Sequence, residues 1–134
     1  METKEDKPNI SELKLLIVED KNYGQVLIEK YLQKIGFKNF LWADDGESAL
    51  DLLHKKTPDL ILSDRNMPYM NGVELFLKLQ LDPKLKDIPF ILITGDNSQT
   101  NVIKALKVGI RHYIVKPFTQ QTLGAKIMEV LKLS

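Results

Sequence analysis

The sequence predicts an α/β fold: a three-layer αβα sandwich in which helices wind doubly over both faces of a five-stranded parallel sheet. Three observations carry this. Five short apolar, β-favouring runs alternate with five longer segments of helical period. The runs are apolar on both faces, as strands covered on both sides by helices must be. Capping residues and glycines stand at the joints between the two kinds of segment.

The strands are expected at residues 13–18 (LKLLIV), 40–43 (FLWA), 60–63 (LILS), 90–94 (FILIT) and 112–115 (HYIV). Between and after them, apolar residues three and four apart mark one stripe per helix. The first carries Leu27, Tyr31, Leu32 and Ile35, the second Ala49, Leu50 and Leu53, and the third Leu75, Phe76 and Leu79. Val102, Ala105 and Leu106 mark the fourth, and Leu123, Ile127, Val130 and Leu131 the fifth. Asp44 with Glu47 has the spacing of a capping box, Thr119 suits an N-cap, and Gly36 and Gly109 suit left-handed residues closing helices. Residues 1–11 are polar, contain Pro8 and are expected to be a short disordered leader, with residues 12–134 forming one domain.

Composition narrows the function. Nineteen basic and eighteen acidic side chains leave a net charge of +1. Residues 101–134 are basic by contrast, with Lys104, Lys107, Arg111, Lys116, Lys126 and Lys132 against Glu129 alone. That face suits an acidic partner or simply solvent; no direct nucleic-acid binding is expected from it. The chain has no cysteine, which excludes a disulfide framework and thiolate metal or redox chemistry. Its charged opening lacks a signal-peptide core, and no apolar run approaches the ~20 residues that span a bilayer, so a cytoplasmic protein without membrane contact is expected.

In a parallel sheet with right-handed crossovers all strand C-termini share one edge, and open sheets of this kind bind ligands there. The residues at or just past those ends are Glu19 and Asp20, Asp64, Thr94, and Lys116 before Pro117. Three crowded carboxylates repel one another and call for a cation. Oxygen ligands without His or Cys select a hard ion, Mg²⁺, held by Asp20 and Asp64 directly, a backbone carbonyl near Asn66, and Glu19 through water. Thr94 and Lys116 are then left as donors to the oxygens of a phosphoryl group. The chemistry indicated is phosphoryl transfer onto Asp64, catalysed by positioning and charge neutralisation.

The DRNMP run at 64–68, the acidic pair, the strand-4 threonine and the Lys-Pro together resemble the receiver domain of two-component response regulators, in its stand-alone, CheY-like chemotaxis form. The resemblance covers about residues 13–133 and implies strand order 2-1-3-4-5 in a flavodoxin-like sandwich. It implies that Asp64 accepts phosphate from a phosphohistidine on a sensor histidine kinase or phosphotransfer protein, that Glu19 and Asp20 hold Mg²⁺, and that Thr94 and Lys116 read the phosphoryl group. Tyr113 becomes an aromatic switch remodelling the face of helix 4, strand 5 and helix 5 for a downstream protein target, and the Lys116–Pro117 bond is typically cis. Such a chain catalyses its own phosphorylation and slow dephosphorylation and turns over no external substrate; it is expected as a monomer, with dimerisation on phosphorylation as the alternative.

Two departures from the common pattern stand out: Glu19 where Asp is more frequent, and Asn71 where Asp often precedes Gly72. Gly95 resembles the small residue that leaves room for the phosphoryl group, and Asn66 and Asp96 flank the route of attacking water. Alternatives are a fragment of a larger multidomain regulator and a metal-dependent aspartyl-phosphate phosphohydrolase; the latter usually carries a second aspartate at position 66, which here is Asn. A flavodoxin-like cofactor module lacks its phosphate loop after strand 1. Tyr113 also suits a half-buried edge-strand residue, and His54, His112, Trp42 and Met67 read as solvated or packing side chains.

Overall fold

The computed structural model describes residues 9–19, 22–67, 69–95 and 99–133. Strands β1 (Lys14–Val18), β2 (Asn39–Ala43), β3 (Leu60–Asp64), β4 (Phe90–Thr94) and β5 (Tyr113–Val115) alternate with helices α1 (Asn22–Ile35), α2 (Gly46–Leu53), α3 (Gly72–Gln80), α4 (Gln99–Lys107) and α5 (Gln120–Leu131). The strands form one parallel sheet in the order β2-β1-β3-β4-β5. Every expected run is a strand, with ends moved by at most one residue.

Alternation along the strands divides the core into two layers. Leu15, Ile17, Leu60, Leu62, Ile91 and Ile93 pack with Ile28 and Leu32 of α1 and Leu123 and Ile127 of α5. On the other face Leu16, Val18, Ile61 and Leu92 pack with Ala49 and Leu53 of α2, Leu75, Phe76 and Leu79 of α3, and Ala105 of α4. The central strands are buried on both sides. Each such Leu or Ile contributes roughly 1.5–3 kcal/mol relative to exposure, and this sets the register. In α4 the stripe is narrower than the spacing indicates, because Leu106 is exposed while Ala105 faces the sheet.

The helix ends show one shift. The N-cap of α2 is Asp45, whose side chain accepts from the Ser48 backbone N–H, so the cap lies one residue later than the Asp44–Glu47 pairing indicates. Asp44 instead accepts a hydrogen bond from Gln25 at 3.2 Å. Thr119 caps α5 as expected. Gly36 and Gly109 have φ of +126° and +106°, the left-handed region where glycine has no Cβ penalty. Within the stretch assigned to the leader, Ile10–Glu12 form a 3-10 turn, and Ile10 packs on the α1/α5 side of the core, where apolar contact offsets the ordering of the chain. Residues 1–8 lie outside the described residues.

Candidate functional site

The C-terminal ends of β1, β3, β4 and β5 meet at one edge, and each is held there by backbone bonds that continue the ladders past the strands. The Glu19 N–H donates to the Ala43 carbonyl at 3.0 Å, Arg65 to Ile93 at 2.8 Å, and Lys116 to Thr94 at 2.7 Å. These three bonds leave little freedom to the main chain that carries the polar side chains.

Glu19, Asp64 and Thr94 are buried at this edge, 2%, 6% and 4% exposed, and with Ser63 they are the buried polar side chains among the described residues. The Lys116 ammonium lies between the two carboxylates, 3.3 Å from Glu19 Oε1 and 3.5 Å from Asp64 Oδ2. Its own side chain remains partly open to solvent. The peptide bond between Lys116 and Pro117 is cis.

One cation faces two buried acids, and the electrostatics show the imbalance. Burial raises the Glu19 carboxyl to about 7, helped by its hydrogen bond to Asp64 and that group's charge, while Lys116 pulls the other way. Glu19 Oε2 is buried without a hydrogen-bond partner among the described residues. An unmatched buried oxygen beside a second carboxylate is poorly satisfied by protein alone and suits a cation. The donors are all oxygen: Glu19, Asp64 and the main chain at Asn66, whose N–H donates to Asp64 Oδ1 at 3.3 Å. This set fits a hard divalent ion. Asp20, the other expected ligand, lies outside the described residues, as do Pro68 and Asp96. Among the described residues no three His, Cys, Asp or Glu side chains form a metal cluster by themselves.

The loop beyond Asp64 is fixed by its close approach to α3. The Gly72 N–H donates to the Arg65 carbonyl at 2.9 Å. A Cβ at Gly72 would stand 2.5 Å from the Asp64 carbonyl oxygen, so no larger residue fits without moving the backbone of Asp64. Asn71 is the N-cap of α3 in a reciprocal capping box with Glu74. Next to Thr94, a Cβ at Gly95 would meet nothing within 4 Å among the described residues.

Tyr113 on β5 is 36% exposed, and Ile103 and Leu106 of α4 are exposed as well. His54 is exposed at the C-cap of α2, and His112 Nδ1 stands 3.5 Å from Glu129 Oε2, away from the acidic edge.

Two site residues escaped the strand-end pattern. Gln25 on α1 donates to the Glu19 carbonyl at 2.6 Å as well as to Asp44, tying the β1 end to the residue after β2. Gly24 packs against the Glu19 side chain. The one sequence signal was a glycine inside a helical pattern. Gly24, Leu27, Ile28, Tyr31, Lys116, Pro117 and Phe118 also line a groove of about 430 Å³ beside the edge.

Comparison with known proteins agrees with this geometry. The family model described as the response regulator receiver domain matches residues 15–128. A chemotaxis protein CheY homolog of Campylobacter jejuni is 41% identical over 120 residues, covering 89% of this chain and 92% of that protein. Chemotaxis protein CheY of Pseudomonas aeruginosa is 37% identical over 120 residues, covering 90% and 97%. The solved structure of Vibrio cholerae chemotaxis protein CheY4 superposes with a TM-score of 0.81 at 30% identity, covering 88% of this chain and 98% of that one.

Proposed function

Because the chain belongs to the response regulator receiver domain family, a family of signalling rather than turnover domains, we propose that Asp64 is the phosphoacceptor of a two-component system and that phosphorylation switches the α4–β5–α5 face. The observation that carries this is the Lys116 ammonium within 3.5 Å of two buried carboxylates, one of them Asp64. The phosphoryl donor is a phosphohistidine on a sensor histidine kinase or phosphotransfer protein.

Glu19, Asp64 and the Asn66 carbonyl, with Asp20, are the groups that would hold Mg²⁺. An ion bound there would supply charge neutralisation for the acids and for the phosphoryl oxygens. One Asp64 oxygen forms the bond to phosphorus as the bond from phosphorus to the donor imidazole nitrogen breaks, and that nitrogen keeps the electron pair. Lys116 then exchanges its contact with Asp64 Oδ2 for a phosphoryl oxygen, and the Thr94 hydroxyl donates to another. Among the described residues nothing lies within 4 Å of where a Cβ at Gly95 would stand, which suits the added group.

Movement of Thr94 toward the phosphoryl group frees volume beneath Tyr113, whose partial exposure gives it somewhere to move from. Ile103 and Leu106 of α4 and Tyr113 of β5 are exposed apolar residues, and Lys104, Lys107 and Arg111, close to them in sequence, are exposed as well. That surface suits an acidic, partly apolar protein target, in chemotaxis or a related response.

Beryllofluoride, which mimics the phosphoryl group on a carboxylate, tests the switch. Amide chemical shifts recorded with and without it should change at α4, β5 and α5 as well as around Asp64. Changes confined to the loops bearing Glu19, Asp64 and Thr94 would rule out the switch.

A further inference from the structure

We infer that Gly24 is a positioning residue: it opens the space occupied by the longer acid at position 19, so that Glu19 and Gly24 act as a matched pair. A glycine in the first turn of a 14-residue helix is disfavoured relative to alanine, because it loses more backbone entropy. Its φ is not in the left-handed region, so backbone geometry does not require it. Contact does. A methyl group at position 24 would stand 2.7 Å from Glu19 Cδ, 2.9 Å from Oε1 and 3.1 Å from Cγ.

Side-chain ends usually give way at such distances, but this one is held. The Glu19 main chain is pinned by its N–H to Ala43 and by Gln25 on its carbonyl. Its carboxylate is 2% exposed and bound to Lys116. Pushing it aside disturbs its 3.3 Å contact with Lys116 at a place where burial and Asp64 already disfavour its charge. With aspartate at 19 the side chain would end one methylene sooner: its Cγ would keep the 3.1 Å approach, and its two oxygens could turn clear of the methyl group about the Cβ–Cγ bond. The departure from the common acidic pair is therefore accommodated on α1, not within the loop that carries the pair.

The test is a double-mutant cycle of Gly24→Ala and Glu19→Asp, read by thermal unfolding without metal and by Mg²⁺ titration. In the native background Gly24→Ala should lower Tm by roughly 3–6 °C and weaken Mg²⁺ binding by about tenfold. In the Glu19→Asp background the same change should raise Tm, since only the better helix former remains, and should leave Mg²⁺ affinity as it was. If Gly24→Ala alone fails to fold, comparison of Glu19→Asp with the double variant still decides. A shift of the same sign in both backgrounds overturns the pairing. The Mg²⁺ arm rests on the site proposed above, whereas the Tm arm does not. A chain indifferent to Mg²⁺ that still reverses sign would remove the metal site and uphold the pair.

Discussion

At neutral pH Glu19 stands near the middle of its own titration, because burial and Asp64 raise it from 4.5 to about 7 against the pull of Lys116. The folded chain thus binds this proton more tightly than the unfolded chain, and the folded state loses stability as the proton leaves. In metal-free protein the contribution is intact below about 4.5 and is lost as pH rises to about 7. Thermal unfolding followed from pH 5 to 8 should show Tm falling relative to Glu19→Gln, which cannot ionise; parallel curves for the two proteins would contradict the assignment. Asp64→Asn removes the neighbouring charge and is expected to stabilise the metal-free protein by an amount on the order of 1 kcal/mol, measured by denaturant midpoint at pH 7.5. A destabilised variant would mean that Lys116 more than compensates both acids.

At the scale of elements, the loop after β3 depends on how α3 begins. Loss of the capping box in Asn71→Ala should cost about 1 kcal/mol, seen as a lower urea midpoint at unchanged slope. Gly72→Ala should cost more, about 2–3 kcal/mol, because its methyl group meets the Asp64 carbonyl oxygen and Leu92 Cδ1 at 2.5 and 2.7 Å. Equal effects of the two would show that the loop yields where it is drawn as rigid. These contacts mark the limit of what is legible in sequence. Strand runs such as LILS and FILIT are legible because burial on both faces demands continuous apolar residues. The cap of α2 is not, since Asp44 and Asp45 are equally good caps locally and the choice is made by Gln25, a residue on another helix. Ile10 is similarly hidden: its fit beneath Gly36 joins segments that no local period connects.

For the molecule as a whole, the location of the site follows from topology alone, because five parallel strands with helices on both faces must place their C-termini together. Glu19, Asp64, Thr94 and Lys116 were therefore legible as one edge, whereas the space that Gly24 gives Glu19 required coordinates. The same convergence ties folding to metal. An ion bound only by the folded state adds roughly 2.7 kcal/mol when present at a hundredfold its dissociation constant, so millimolar Mg²⁺ should raise Tm and chelation should reverse the rise. Asp64→Asn should blunt this response, and an unchanged Tm in the native chain would argue against the site.

The most direct test of the account is intact and peptide mass spectrometry after incubation with acetyl phosphate and Mg²⁺. The native chain should gain the mass of one phosphoryl group, on the peptide containing Asp64, and neither Asp64→Asn nor a sample with the metal chelated should gain it. Modification at another residue, or no gain in the native chain, would contradict Asp64 as the phosphoacceptor.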